Sequence, residues 1–341
     1  MPLLSDFMVH RARAVGKCQN QVPYSCAIGI IPPDGICDSS PKDPHAGRKR
    51  PAVPDTRSPT IRRRELGGLL RSLRLEQGLT VEQVAMRLLC SPSKVSRMET
   101  GQRGATARDI RDLCDLYGVT SPDERARMAK LAAEGKQQGW WQSYELDYFA
   151  TFVGLEEAAT VIKMYQSTTI PGLLQTPDYV RAMSGVLVPE VSPERTEELV
   201  EVKRHRQGRL SGEPPLPLSV VLDEAVLHRA VGGPAAMALQ LDRLIEATRI
   251  YKVTIQVIPY SAGAHAAMDS TFTIMEFADP VPNVVYVEGL VGWIYIERPQ
   301  DVARYEDVFD RLCDSALSPR DSIELIEKVS ANYLREGVDA T

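Results

Sequence analysis

Between residues 61 and 118 the apolar positions repeat with a helical period four times over. Leu66, Leu69, Leu70 and Leu73 stand at i, i+3, i+4 and i+7, one buried face of a helix. Gly78 follows as a left-handed stop. Thr80 with Gln83 three residues on forms a capping box, and Val81, Val84, Ala85 and Leu88 give the second helix its apolar face. Ser91 is an N-cap, and Pro92 takes the first helical position, where its missing N–H does no harm. Val95 and Met98 point inward before Gly101 ends this third helix. Thr106 and Asp109 cap a fourth, with Ile110, Leu113, Cys114 and Tyr117 as its face and Gly118 as its end. Ser121-Pro122-Asp123-Glu124 opens a fifth helix that runs through Ala133.

A polar break from Glu134 to Gly139 reads as a hinge, and the pattern then changes. Trp140, Trp141, Tyr144, Tyr148, Phe149 and Phe152 form the densest aromatic group of the chain. Stretches rich in β-branched and aromatic residues predict strands at 219–222, 253–258, 271–277, 284–287 and 292–296. Helices are expected over 193–210, 234–251, 301–316 and 319–335. The predicted fold is multidomain: an all-α helix-turn-helix head of five helices at 59–134, then an α+β domain at 140–337. Residues 1–58 read as a disordered leader, dominated from Pro32 to Pro59 by proline, glycine, serine and charges. A rival reading makes its basic run His45–Arg50 an arm that touches DNA.

Composition adds little until it is divided along the chain. The whole carries a formal charge of −5, but residues 61–118 carry +4 and everything after them −12. A basic head on an acidic body suits attraction to phosphate at one end only. No apolar run approaches the length of a membrane helix, and no secretory signal pattern opens the chain, so a cytoplasmic protein is expected. The six cysteines show neither a CxxC pair nor metal spacing. No metal and no cofactor are expected.

The helix pair from Leu79 to Gly104 carries the candidate chemistry. A helix-turn-helix places its second helix in the major groove of DNA. The polar face of that helix offers Ser93, Lys94, Ser96 and Arg97, short hydroxyls and long cations near an N-terminus. Hydroxyls bond phosphates or base edges, and arginine forks onto guanine. Thr80 and Gln83 at the start of the second helix, and Arg103 just past the third, are placed to reach backbone phosphate. The competing reading is a plain helical bundle. A head of +4 binds weakly alone, so a homodimer on two half-sites is expected.

The string SPSKVSRMETGQRG resembles the recognition helix and following turn of the Xre-type helix-turn-helix domain of the lambda repressor/Cro group. The resemblance implies a lambda-repressor-like head with base or phosphate contacts from Ser91, Ser93, Lys94, Ser96 and Arg97, and a structural role for Glu99. One position departs: Leu89 stands where the family usually has glycine, because the backbone there turns to positive φ. Further on, IPGLLQTPDYVRAM, VVLDEAVLHRAVGG, VTIQVIPYSAGAH and VVYVEG resemble the large C-terminal domain of actinobacterial Xre-type regulators. That resemblance implies an antitoxin-like transcription factor, paired with a small acidic protein encoded by a neighbouring gene. Family members begin near the equivalent of Arg57, which suggests that the leader lies upstream of the native start, near Val53.

Two readings stand for the second domain. Trp140, Trp141, Tyr144, Leu173 and Leu174 form either a docking surface for the partner protein or the lining of an apolar ligand pocket in a ligand-sensing regulator. Core packing where two domains meet competes with both. Hydrolysis is the remote alternative: Asp223, Glu224, His228 and Arg229 cluster after a strand, and His265 and Asp269 lie on a later loop. No two-histidine zinc spacing, Walker loop, Rossmann fingerprint or nucleophile elbow accompanies them, so no catalytic residue and no enzyme activity are expected.

Overall fold

The computed structural model describes residues 58–144, 149–187, 191–250, 252–279, 281–289 and 292–339. Residues 1–57, with the leader and both readings of it, and Tyr148 lie outside the described residues.

Five helices build the head: α1 (Pro59–Glu76), α2 (Val81–Arg87), α3 (Pro92–Glu99), α4 (Ala107–Leu116) and α5 (Pro122–Glu134). Each starts on a side-chain cap. Ser58, Thr80, Ser91, Thr106 and Ser121 all accept a backbone N–H, and Thr80/Gln83 and Thr106/Asp109 close full capping boxes. Leu66, Leu70, Val84, Ala85, Val95, Met98, Ile110, Leu113, Cys114, Tyr117, Met128 and Leu131 pack into one core. These are the faces that the helical period picks out.

The second domain is built from α6 (Phe149–Ala158), β1 (Val161–Gln166), α7 (Pro177–Leu187), α8 (Pro193–Gln207), β2 (Leu218–Asp223), α9 (Ala225–His228), α10 (Pro234–Ala247), β3 (Val253–Ile258), β4 (Phe272–Glu276), β5 (Val284–Gly289), β6 (Gly292–Ile296), α11 (Pro299–Ser315) and α12 (Pro319–Asp339). Its sheet runs in the order β3-β2-β1-β4-β5-β6. β1, β2 and β3 are parallel, whereas β4, β5 and β6 add antiparallel neighbours. Ile162, Met164, Leu218, Val220, Ile255 and Met275 face the larger core, which takes in α10 and α12. Tyr165, Val221, Phe272, Ile274 and Val285 face α11 through Val302, Phe309 and Leu312.

The mixed α+β class stands as expected, and the five expected strands are present. Four elements are not in the sequence reading: β1, α6, α7 and α9. The loss of β1, a strand at the centre of the sheet, hid the helical crossovers of the parallel half. Lys163 obscures its pattern, because it puts a charge on a covered face, where an ion pair with Glu276 at 3.0 Å satisfies it. Burial alone opposes that charge, but Glu276 prevails and holds the Lys163 pKa above its ordinary value.

α1 belongs to both cores. Leu66 and Leu70 are in the head core, while Ile61, one turn earlier, is in the core of the second domain. Ser58, assigned above to the leader, is buried; its Oγ donates to the Gly154 carbonyl oxygen at 3.0 Å. Arg64 pairs with Glu297 at 2.9 Å. The break at 134–139 is therefore no free hinge. Glu134 still ends α5 and pairs with Arg62 at 2.9 Å, and Trp141 just beyond is buried.

Candidate nucleic-acid interface

The turn between α2 and α3 sets the geometry of the site. Leu89 has φ of 50° and is 95% exposed, so a branched side chain occupies the left-handed region with nothing packed on it. Strain of that kind costs about 1 kcal/mol. Leu89→Gly is expected to raise stability by about that much, less what glycine loses through a freer unfolded chain. An unchanged or lower melting temperature would reject the expectation.

α3 is clamped from behind. Glu99 accepts from Arg74 Nε at 2.7 Å and from its second nitrogen at 2.9 Å, and Arg74 also donates to the Leu79 carbonyl oxygen at 2.8 Å. The Glu99 carboxylate holds the Arg74 pKa above its ordinary value against the opposing effect of burial. Glu99 is thus part of the scaffold joining α1, the α1–α2 turn and α3. Gly67 of α1 lies against the last carbonyls of α3, so the two helix backbones approach without a side chain between them.

With α3 held this way, Ser91, Ser93, Ser96 and Arg97 are exposed on one face. Ser91 Oγ accepts from the Lys94 amide at 3.2 Å, so this hydroxyl is engaged as the cap. Arg97 Nε donates to the Ser93 carbonyl oxygen at 3.3 Å, which leans the guanidinium along the helix while leaving its outer nitrogens to solvent. Thr80 and Gln83 are exposed, and Gln83 Oε1 accepts from the Thr80 amide at 2.8 Å. The Gln83 Nε2 hydrogens point to no partner in that box and suit an acceptor such as phosphate. Arg103 is exposed, and its amide donates to the Arg97 carbonyl oxygen at 2.9 Å, which folds the loop back beside α3.

Lys94 differs from the others. It is half-buried, and its Nζ donates to Asp109 Oδ1 at 2.6 Å. Burial works against ionisation of Asp109, but Lys94 and the Thr106 amide and hydroxyl outweigh it and hold the carboxyl below its ordinary pKa. The lysine is therefore partly neutralised by the cap of α4. Sequence reading also passed over Arg108. It is 82% exposed in the first turn of α4, beside the Asp109 that holds Lys94. Its position two residues after a capping threonine was the available signal.

The five residues singled out in the second domain do not form one surface. Leu173 and Leu174 are fully buried in its core. Their loop is fastened from several sides: Gln240 Nε2 donates to the Leu174 carbonyl oxygen at 2.8 Å, Gln207 Nε2 to that of Gln175 at 2.7 Å, and Lys203 to Gln175 Oε1. Burial, and then the nearby Arg206 guanidinium, push the Lys203 ammonium down to about 7. Trp141 is also buried, against Val153 and Val202. Apolar side chains at a junction gain more from mutual burial than from waiting for a partner. Trp140 and Tyr144 keep partial exposure, and Trp140 stacks on His205 with ring centroids 3.8 Å apart.

The acid–histidine group after β2 is engaged internally. Asp223 Oδ1 accepts from the Ala225 amide at 2.8 Å, and Glu224 accepts from the Tyr260 amide at 2.7 Å and meets His228 at 3.2 Å. His265 is buried 3.2 Å from the Tyr165 hydroxyl, and its Nδ1 accepts from the Ala267 amide at 3.3 Å. Among the described residues no group of three histidine, cysteine or carboxylate side chains is arranged to hold a metal ion, and no helix is long and apolar enough to cross a membrane.

Comparison with known proteins adds two matches. A model described as a helix-turn-helix domain matches residues 65–128, and one described as a domain of unknown function, DUF5753, matches residues 149–328. No curated protein matches the chain, and no solved structure does.

Proposed function

The chain belongs to the DUF5753 family and carries a helix-turn-helix domain ahead of that region, and from this we propose that it is a sequence-specific transcriptional regulator reading DNA with α3. The observation that carries the reading is the exposed set Ser93, Ser96 and Arg97 on a helix clamped through Glu99 and Gly67. Ser91, Thr80, Gln83 and Arg103 flank it as phosphate contacts, Arg108 joins them, and Lys94 contributes less than a free lysine because Asp109 shares its charge.

The finer reading is an Xre-type, antitoxin-like regulator of actinobacterial kind that works in the cytoplasm as a homodimer on a pseudo-palindromic site. A small acidic partner protein controls it. Sequence resemblance supports this, and Trp140 and Tyr144 are the residues left to meet that partner. The second domain binds rather than catalyses: the internal partners of Asp223, Glu224 and His265 support that reading.

A gel-shift titration on the promoter region of the chain's own gene, at two salt concentrations, tests the reading. Arg97→Ala should weaken specific binding by about 10- to 100-fold, the worth of about 1–3 kcal/mol for a good base contact. Lys94→Ala should cost less and flatten the salt dependence only slightly. Wild-type affinity in Arg97→Ala would remove α3 as the reader.

A further inference from the structure

The two edges of the sheet are treated differently. At the β3 edge, the Leu317 amide donates to the Val257 carbonyl oxygen at 2.8 Å, and Ser322 Oγ accepts from the Val257 amide at 2.9 Å. Gln256 Nε2 adds a bond to the Leu317 carbonyl oxygen at 3.0 Å. The connection from α11 to α12 thus closes that edge. At the other end of the order, β6 has β5 as its only strand neighbour among the described residues.

β6 also lacks the features that keep an edge from pairing. Its sequence, Gly-Trp-Ile-Tyr-Ile, holds no proline and no charge. Ile294 is 62% exposed and Trp293 38%, and they project to opposite faces of the strand. On the face of the strand that Ile294 shares with Ile296, a groove of about 320 Å³ is lined by Ile296, Asp301, Arg304, Tyr305 and Val308.

We infer that β6 pairs antiparallel with β6 of a second copy of this chain, joining two sheets into one. Another copy is the occupant because the strand is complementary to itself. About a two-fold axis at Tyr295, Ile294 lies beside the partner's Ile296 on the groove face, apolar against apolar. Antiparallel backbone donors and acceptors match across the same axis. The groove rim carries Asp301 and Arg304, so it offers both signs of charge to the same rim of the other copy.

The pairing also bears on the heads. Glu297, the residue after β6, holds Arg64 of α1, and α1 is locked to α3 at Gly67. Two recognition helices are therefore carried at a set spacing. That consequence rests on the DNA-binding reading; the pairing does not.

Light scattering and sedimentation equilibrium of the full chain test it, at tens of micromolar and without DNA. The wild type should be a dimer. Ile294→Lys and Ile294→Glu, each putting a charge at an exposed position, should be folded monomers whose cooperative melting no longer depends on protein concentration. An equimolar mixture of the two variants should restore a dimer, because the two 294 side chains lie diagonally across the axis, within reach of a lysine and a glutamate. A monomeric wild type, a dimeric Ile294→Lys, or a mixture that stays monomeric would overturn the pairing. Because no DNA is present, failure here is separate from failure of the gel shift.

Discussion

Glu156→Ala is expected to destabilise the second domain by about 3–5 kcal/mol, the cost of leaving one partner of a buried ion pair alone. Glu156 accepts from Arg206 at 2.6 and 2.8 Å, and each side chain is 3% exposed. The guanidinium also sits 5.0 Å from the Phe149 ring centroid and 5.4 Å from that of Phe152. Losing the carboxylate would leave this cation buried beside two aromatic rings with no anion to pair it. In a domain of this size the loss corresponds to roughly 10 °C in melting temperature. Removing the charge from both sides, as in Glu156→Leu with Arg206→Leu, should recover much of it, because no buried ion is then left unpaired. Thermal denaturation followed by circular dichroism decides: a single variant within a degree or two of wild type would show that water reaches Arg206.

Gly67→Ala is the second large effect, and it links stability to DNA binding. A Cβ at position 67 would lie 2.6 Å from the Met98 carbonyl oxygen and closer still to that of Glu99. Both are backbone atoms of α3, so no side chain can turn aside. Overpacking of this kind costs about 1–3 kcal/mol, more where backbone has to move. Relief requires α3 to shift, which strains the Arg74–Glu99 clamp and displaces Arg97. Gly68 supplies the matched control: a Cβ there meets nothing within 4 Å, so Gly68→Ala should gain about 0.5–1 kcal/mol of helix propensity. Urea midpoints and gel shifts of the two variants should therefore move in opposite directions for stability, with DNA binding impaired only in Gly67→Ala. Equal behaviour of the pair would show that α1 and α3 do not meet as described.

The head was legible because its determinants are local. A capping serine or threonine, a residue three positions on, and apolar residues at helical spacing all lie within a turn or two of one another. The positive φ of Leu89 was foreseen by another route, the resemblance to the Xre-type domain, which usually has glycine at that turn. The second domain was legible only in part. Its expected strands are runs of β-branched residues, whereas β1 carries Lys163, whose carboxylate partner arrives from β4. Trp141, Leu173 and Leu174 show a further limit. An apolar side chain has the same chemistry on a docking surface and in a core, and only its neighbours distinguish the two.

Sequence alone decides where the head's helices start and stop, which faces they bury, and which side chains α3 turns outward, since helical period and capping act over a few residues. Tertiary structure alone decides how much those side chains are free to do. Lys94 meets Asp109 fifteen residues away, Gly67 meets the end of α3, and Arg64 meets Glu297 from the far end of the chain. Each of these depends on the approach of surfaces distant in sequence. Burial and charge pairing there are properties of the assembled core, and no local pattern records them.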